Sequence, residues 1–134
     1  MNGIFTISLD FELHWGGFEK WTLKSSKFQV PGSMSDSPRD QYFLTTRAVI
    51  PKMLDLFQRY EIHATWATVG MLLNESSEEL LKNAPSEKPS YGNLNLSAYT
   101  FINNEGIGDN EHEDPFHFAP SLVKTSIAMS RVKR

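Results

Sequence analysis

The chain of 134 residues contains no cysteine. This absence excludes disulfide bonds, thiolate zinc sites and cysteine nucleophiles, so any metal ligand must be an oxygen or an imidazole nitrogen. The chain also has no apolar run close to the roughly 18 residues that a membrane-spanning helix needs. A net charge of -3 gives no electrostatic reason for binding nucleic acid or an anionic membrane. We therefore expect that the protein does not bind nucleic acid and that it has no membrane-spanning segment.

The N-terminus lacks the basic segment and apolar core that are typical of a secretory signal peptide, because Asp10 interrupts the first apolar run. This pattern predicts a cytoplasmic protein. The chain length suits one ordinary domain that can bury a hydrophobic core.

Residues 3–15 combine an apolar run with two carboxylates. The near-continuous apolar and β-branched residues before Asp10 predict a strand that is buried on both faces. Asp10 and Glu12 are two positions apart, and in a strand such side chains leave the same face, so both can point into one pocket. Carboxylates at the end of a buried strand are costly unless they are paired or used. They are therefore the first candidate functional residues.

A strand–helix–strand pattern follows. Apolar residues fall on one helical face over residues 42–60, with Thr45 or Thr46 as a cap, and this spacing predicts an amphipathic helix. Residues 62–69 alternate between apolar and polar types before Gly70 and predict a second buried strand. Two strands joined by a long helix indicate a parallel pair with a right-handed crossover.

The remaining segments carry weaker patterns. A capping box at residues 76–79 predicts a short helix over residues 77–83. The composition predicts a loop over residues 84–110 with an extended piece at 99–102. Apolar residues at loosely helical spacing, followed by basic residues, predict a further helix over 121–132.

Two histidines lie in the acidic segment before that last helix. We expect residues 109–114 to be solvated. His112 and His117 are five positions apart with Pro115 between them, so they share no helix face. The pattern predicts a surface loop rather than a metal site.

Residues 8–12 (SLDFE), followed by HWG at 14–16, resemble the first motif of the polysaccharide deacetylases, carbohydrate esterases with the chitooligosaccharide deacetylase homology domain. The usual form of that motif is Thr-Phe-Asp-Asp, and here the second acid is Glu and is displaced by one residue, as in Asp-x-Asp variants. A second block, IPKMLDLF at 50–57 and YEIHATWATVG at 60–70, is similar to the leucine-rich helix and second strand of the family.

The resemblance implies an α/β fold, an incomplete (β/α) barrel with parallel strands inside and helices outside. A (β/α) barrel of eight units needs about 250 residues, and the deacetylase barrel is only slightly smaller. The sequence also contains no His-x-x-x-His, the second metal-binding motif of the family. We therefore expect residues 1–134 to be the N-terminal portion of one deacetylase-like domain, truncated before that motif.

The resemblance also implies a chemistry. Asp10 takes the place of the catalytic base and Glu12 that of a metal ligand in the hydrolysis of acetamido groups on N-acetylated carbohydrates. The complete site holds a divalent metal, zinc or a similar ion. One carboxylate is far short of a three-ligand catalytic site, so we expect this chain alone to bind no metal tightly and to be inactive.

Three further residues are candidates for substrate binding. Trp15 and Trp21 can line a sugar subsite, because the apolar face of a pyranose packs on indole. They can equally cover the edge of the core. His14 is the histidine nearest to the acidic pair and is a candidate substrate contact.

Other functions remain open at this point. Two carboxylates can also serve glycoside hydrolysis, and a non-catalytic carbohydrate-binding remnant would keep Trp15 and Trp21 without the chemistry. The pair Asp10 and Glu12 can also be a cap or ion pair at a strand end. An incomplete barrel leaves a strand edge unpaired, which predicts self-association.

Overall fold

The computed structural model describes residues 3–20 and 38–131, with side chains described for 3–20 and 38–127. Trp21 lies outside these ranges. The strands and helices are, in chain order, β1 (Ser8–Phe11), α1 (Pro38–Arg59), β2 (Thr65–Thr68), α2 (Ser77–Asn83), α3 (Ala98–Glu105) and α4 (Pro120–Arg131). Short 3-10 helices lie at Leu13–Gly16, Gly70–Leu73 and Leu94–Leu96. Among the described residues, none of the helices has the length and apolar character needed to cross a membrane.

The two strands form a parallel pair, with Ser8 opposite Thr65 and Asp10 opposite Ala67. Helix α1 connects them, so the predicted strand–helix–strand unit with parallel strands is confirmed. Within the described ranges the sheet has these two strands and is not closed. The incomplete barrel therefore stays a prediction.

Both strands are shorter and more exposed than the sequence predicts. In β1 only Phe11 is buried, and the apolar residues before the strand, Ile4 and Phe5, are 92% and 87% exposed. Strand β2 alternates between exposed and partly buried residues. The prediction of strands buried on both faces is wrong for this structure, because such burial needs packed layers on both faces of a sheet and the described elements do not supply them.

Helix α1 is longer than predicted and begins at Pro38. It buries Phe43, Ile50 and Leu54 along one face, and Pro51 lies inside it. Thr46 is not a cap, since its hydroxyl donates to the carbonyl of Tyr42 one turn earlier, at 2.9 Å. Helix α1 contacts α4 and the 3-10 helix that follows β1.

The prediction for α2 is confirmed at both ends. The side chain of Ser76 accepts a hydrogen bond from the amide of Glu79 at 3.1 Å, as a capping box requires. The carboxylate of Glu79 reaches back to the amide of Glu75. Helix α4 agrees with its predicted range to within one residue at each end.

The prediction of an extended piece at residues 99–102 is wrong, because this segment belongs to α3. Ser97 caps the helix by accepting from the amide of Thr100 at 3.2 Å. Phe101 and Ile102 both face the core. The helix ends at Glu105, and its C-cap is Gly106, whose φ of 80° and ψ of 168° lie in a region that is open essentially only to glycine.

One hydrophobic core joins these elements around the turn that follows β1. Its buried members are Phe11, Leu13, Trp15, Phe43, Ile50, Leu54, Leu72, Leu80, Phe101, Ile102, Phe118 and Ala119. The core therefore packs directly against the residues that come after the acidic pair.

Candidate functional site

Asp10 and Glu12 differ in backbone setting. Asp10 lies in β1 and is exposed, whereas Glu12 follows the last strand residue and is partly buried. The backbone of Glu12, with φ -127° and ψ -28°, is not extended. The two carboxylates are therefore not on one strand face, although both residues are among those that line one cavity of about 610 Å³.

This cavity lies along one edge of β1 and against α1. All five consecutive residues from 9 to 13 line it, which indicates that the chain presents an edge to the cavity, because a strand face would contribute alternate residues. The rest of the lining comes from α1 and β2, namely Gln41, Tyr42, Phe43, Thr45, Thr46, Val49, Ile50, Met53 and Trp66. The lining residues include apolar, hydroxyl-bearing and acidic types, which suits an amphipathic ligand.

The turn after Glu12 has an unusual backbone. Leu13 has a φ of 48°, a left-handed conformation that is strained for a residue with a branched side chain. Gly16 lets the side chain of Glu12 lie close to the backbone of the turn. A Cβ at position 16 would collide with the carboxylate of Glu12 and lie 2.9 Å from the Cβ of Glu12. The HWG segment thus provides space for the side chain of Glu12.

A buried chain of three polar side chains lies behind this turn. Nδ1 of His14 lies 2.7 Å from Nε2 of His117, and Nδ1 of His117 lies 2.6 Å from a carboxylate oxygen of Asp114. The three residues are at most 1% exposed. Among the described residues, every buried side-chain nitrogen or oxygen has a hydrogen-bond partner. The chain is thus fully satisfied, as buried polar groups must be.

Asp114 is the acceptor at the end of this chain. Besides the imidazole of His117, it accepts from the amides of Gly108 at 2.9 Å, and of Phe116 and His117 at 3.2 Å. Burial raises the pKa of Asp114, but the hydrogen bond and the positive charge of His117 and these amide donors outweigh it, so the pKa lies below the ordinary 3.8. Asp114 is held as a carboxylate.

A second polar cluster fastens the same loop to two helices. Arg47 of α1 donates to the carbonyls of Pro115 and Phe118, at 3.0 and 2.9 Å, and pairs with Glu111. Glu111 also accepts from the amide and hydroxyl of Ser121 in α4. Burial raises the pKa of Glu111, but the bonds from Ser121 and Arg47 together lower it below its ordinary value.

The structure places the predicted substrate contacts in the interior. His14 is 1% exposed and Trp15 is 6% exposed, and the indole nitrogen of Trp15 donates to the carbonyl of His117 at 2.9 Å. Neither side chain offers a surface to a sugar in this structure. The prediction for Trp21 falls outside the described residues.

The prediction of a solvated segment and a surface loop is wrong for Asp114 and His117, which are both 0% exposed. It is confirmed for His112, which is exposed. The reason is that the carboxylate of Asp114 accepts hydrogen bonds from the amides of Phe116 and His117, so this turn can be buried without unpaired amides. His117 can therefore lie in the core beside its sequence neighbours Phe116 and Phe118. The apolar neighbours of His117 are the signal that local reasoning missed.

A metal would find few ligands here. Within residues 3–20 and 38–131, no group of three or more His, Asp or Glu side chains is placed to hold an ion. The carboxylates of Asp10 and Glu12 have the ligand type that a divalent cation accepts. Their number, however, is below the three protein ligands of a catalytic zinc site. The carboxylate oxygens are thus of a type that fits the implied divalent metal, but two carboxylates are too few to form the complete site.

Comparisons with protein-family models, with curated proteins and with solved structures returned no match for this chain.

Proposed function

We propose that this chain is the N-terminal part of a metal-dependent carbohydrate N-deacetylase, with Asp10 as the catalytic base and Glu12 as a metal ligand. The observation that carries the proposal is that Asp10 and Glu12 both belong to the lining of one cavity where the parallel strand β1 ends. In α/β folds built from parallel strands, ligands bind at the carboxyl ends of the strands. The motif and its position in the fold therefore support the same site.

The roles of the two residues differ in what each must do with a proton. Asp10 is exposed at the end of β1, so its carboxylate can take a proton from a water molecule that attacks the acetamide carbon. Glu12 needs only to remain anionic and correctly placed. A divalent metal bound in the complete site would polarise the acetamide carbonyl and lower the pKa of the water. Attack forms a bond from the water oxygen to the acetamide carbon. The bond between that carbon and the nitrogen then breaks, and the nitrogen takes up a proton as it leaves, so the products are acetate and an amine.

The proposal assigns the remaining metal ligands, two histidines, to a part of the protein outside residues 1–134. The test joins this chain to a C-terminal deacetylase segment that carries those histidines and measures acetate release from an N-acetylhexosamine oligosaccharide. We expect Asp10→Asn to abolish turnover while the metal stays bound, and Glu12→Gln mainly to weaken metal affinity. Asp55→Asn, which changes an exposed carboxylate of α1, serves as the control.

Two outcomes contradict the proposal. Near-normal turnover by Asp10→Asn would remove the assignment of the base. Release of reducing sugar instead of acetate would indicate glycoside hydrolysis by the two carboxylates.

A further inference from the structure

Three hydrogen bonds join the residues just after Glu12 to one short turn about a hundred positions later. The amide of His14 donates to the carbonyl of Phe116 at 3.3 Å, and the indole of Trp15 donates to the carbonyl of His117 at 2.9 Å. The imidazoles of His14 and His117 form the third bond, at 2.7 Å. The turn after β1 is thus fixed by partners that do not belong to the sheet.

Asp114 fixes the ring of His117 in turn. Its Oδ2 atom bonds Nδ1 of that ring at 2.6 Å, which leaves Nε2 to face His14. Both ring nitrogens are therefore engaged, and the ring cannot turn over without losing both bonds. The ring of His14 also packs edge-on against Phe43, with centroids 5.5 Å apart.

These bonds restrict the backbone at Glu12, because only Glu12 and Leu13 separate the end of β1 from His14. On the strand side, the carbonyl of Phe11 accepts from the amide of Val69 at 3.1 Å. On the other side lies the network just described. The left-handed backbone of Leu13 is strained, and such a conformation persists only where the surroundings determine it.

We propose that Asp114, His117 and His14 are positioning residues that hold the turn at Leu13 and thereby fix the side chain of Glu12, which lies against Gly16 of the same turn and belongs to a residue that lines the cavity. The purpose of this arrangement rests on the proposed function, in which Glu12 is a metal ligand that needs a defined position. The arrangement itself can be tested without metal or substrate.

The experiment measures the side-chain conformation of Glu12 by NMR in the full chain, using the three-bond couplings that report its χ1 angle. The variant is Asp114→Asn. Each carboxylate oxygen of Asp114 accepts hydrogen bonds from two donors. Whichever way the side-chain amide of the new asparagine is turned, its NH₂ group therefore faces N–H donors and cannot accept from them. The matched control is Glu113→Gln, which removes an exposed carboxylate from the same turn.

We expect the wild-type chain and Glu113→Gln to show one χ1 rotamer at Glu12 and a low-field proton for the short bond between His117 and Asp114. In folded Asp114→Asn the low-field proton should be lost and the Glu12 couplings should average over rotamers. Wild-type Glu12 couplings in that variant would overturn the proposal, even if its stability fell, because a purely structural role changes only stability. Averaged couplings in the wild-type chain would also overturn it.

A second pair keeps the test decisive if Asp114→Asn does not fold. In His14→Asn the side-chain amide can present either its oxygen or its nitrogen in the place of Nδ1 and can still bond His117, whereas His14→Leu fills similar space without a polar atom. The couplings of Glu12 should be preserved in the first variant and averaged in the second. Equal couplings in both would overturn the proposal. Failure of deacetylation in the joined protein would leave these results unaffected, so the two proposals fail separately.

Discussion

Nε2 of His117 lies 2.7 Å from Nδ1 of His14, although 103 positions separate the two residues along the chain. The bond connects the segment that carries the acidic motif with a turn in which no catalytic residue is proposed. Both rings are fully enclosed by the core. The support for the candidate site therefore comes from a distant part of the sequence.

The first prediction concerns acid stability. The folded pKa of Asp114 lies below its ordinary 3.8, so its stabilising effect is present above that value and is lost as the pH falls through the folded pKa. We expect Asp114→Asn to lower the free energy of unfolding near neutral pH by about 3 kcal/mol, because it disrupts a buried hydrogen-bonded pair. The variant should also lose this part of the acid dependence. Urea unfolding across the acid range measures both effects.

Glu113→Gln is the control for this prediction, since Glu113 is exposed in the same turn. It should change the free energy of unfolding by no more than about 0.5 kcal/mol. Equal losses in the two variants, or an unchanged acid transition in Asp114→Asn, would contradict the assignment.

The second prediction concerns Arg47. Replacing it with Met removes the donors to the carbonyls of Pro115 and Phe118 and leaves Glu111 without its cation. We expect a loss of about 2 kcal/mol in the free energy of unfolding, since partly buried acceptors lose their partners. The pKa of Glu111 should rise towards its ordinary value, which NMR titration of its side-chain carboxyl can follow.

Arg59→Met provides the comparison. Arg59 forms an exposed ion pair with Asp55, with side chains that are 63% and 59% exposed. Such pairs contribute about 0.5 kcal/mol or less. A loss as large as that of Arg47→Met would show that the cluster at Arg47 has no special role.

The third prediction concerns self-association. The described sheet has unpaired outer edges, and Ile4 and Phe5 lie almost fully exposed next to β1. Unpaired edges with apolar neighbours promote association between chains. We expect sedimentation velocity to show association that grows with protein concentration and that is reduced in Phe5→Lys. Tyr91→Lys, at an exposed position away from the strands, should leave it unchanged.

A monomer that unfolds cooperatively at the highest attainable concentration would contradict this third prediction.

The fourth prediction concerns metal binding by the chain alone. Asp10 and Glu12 supply fewer protein ligands than a tight transition-metal site requires. Calorimetric titration with zinc, cobalt and nickel should therefore show no stoichiometric high-affinity binding. One equivalent bound at sub-micromolar affinity would mean that further ligands exist in the chain, and Glu12→Gln would then show whether Glu12 is one of them.

Local sequence patterns predicted those elements whose signals are local. The cap at Ser76 defined the start of α2, and the order of two apolar runs around one amphipathic helix predicted the parallel pairing of β1 and β2. The same approach failed at residues 99–102, because a short apolar run fits a strand as well as a helix. Capping by Ser97 and burial of Phe101 favour the helix there.

The sequence by itself determined which chemistry is available: no thiolates, two carboxylates two positions apart, and histidines as the other candidate ligands. It also determined the strand–helix–strand order. Only the tertiary structure decided that His14, Asp114 and His117 are buried together, while Asp10 stays exposed. The physical reason is that a polar side chain can be buried only when partners satisfy it, and here the partners come from segments far apart in the chain.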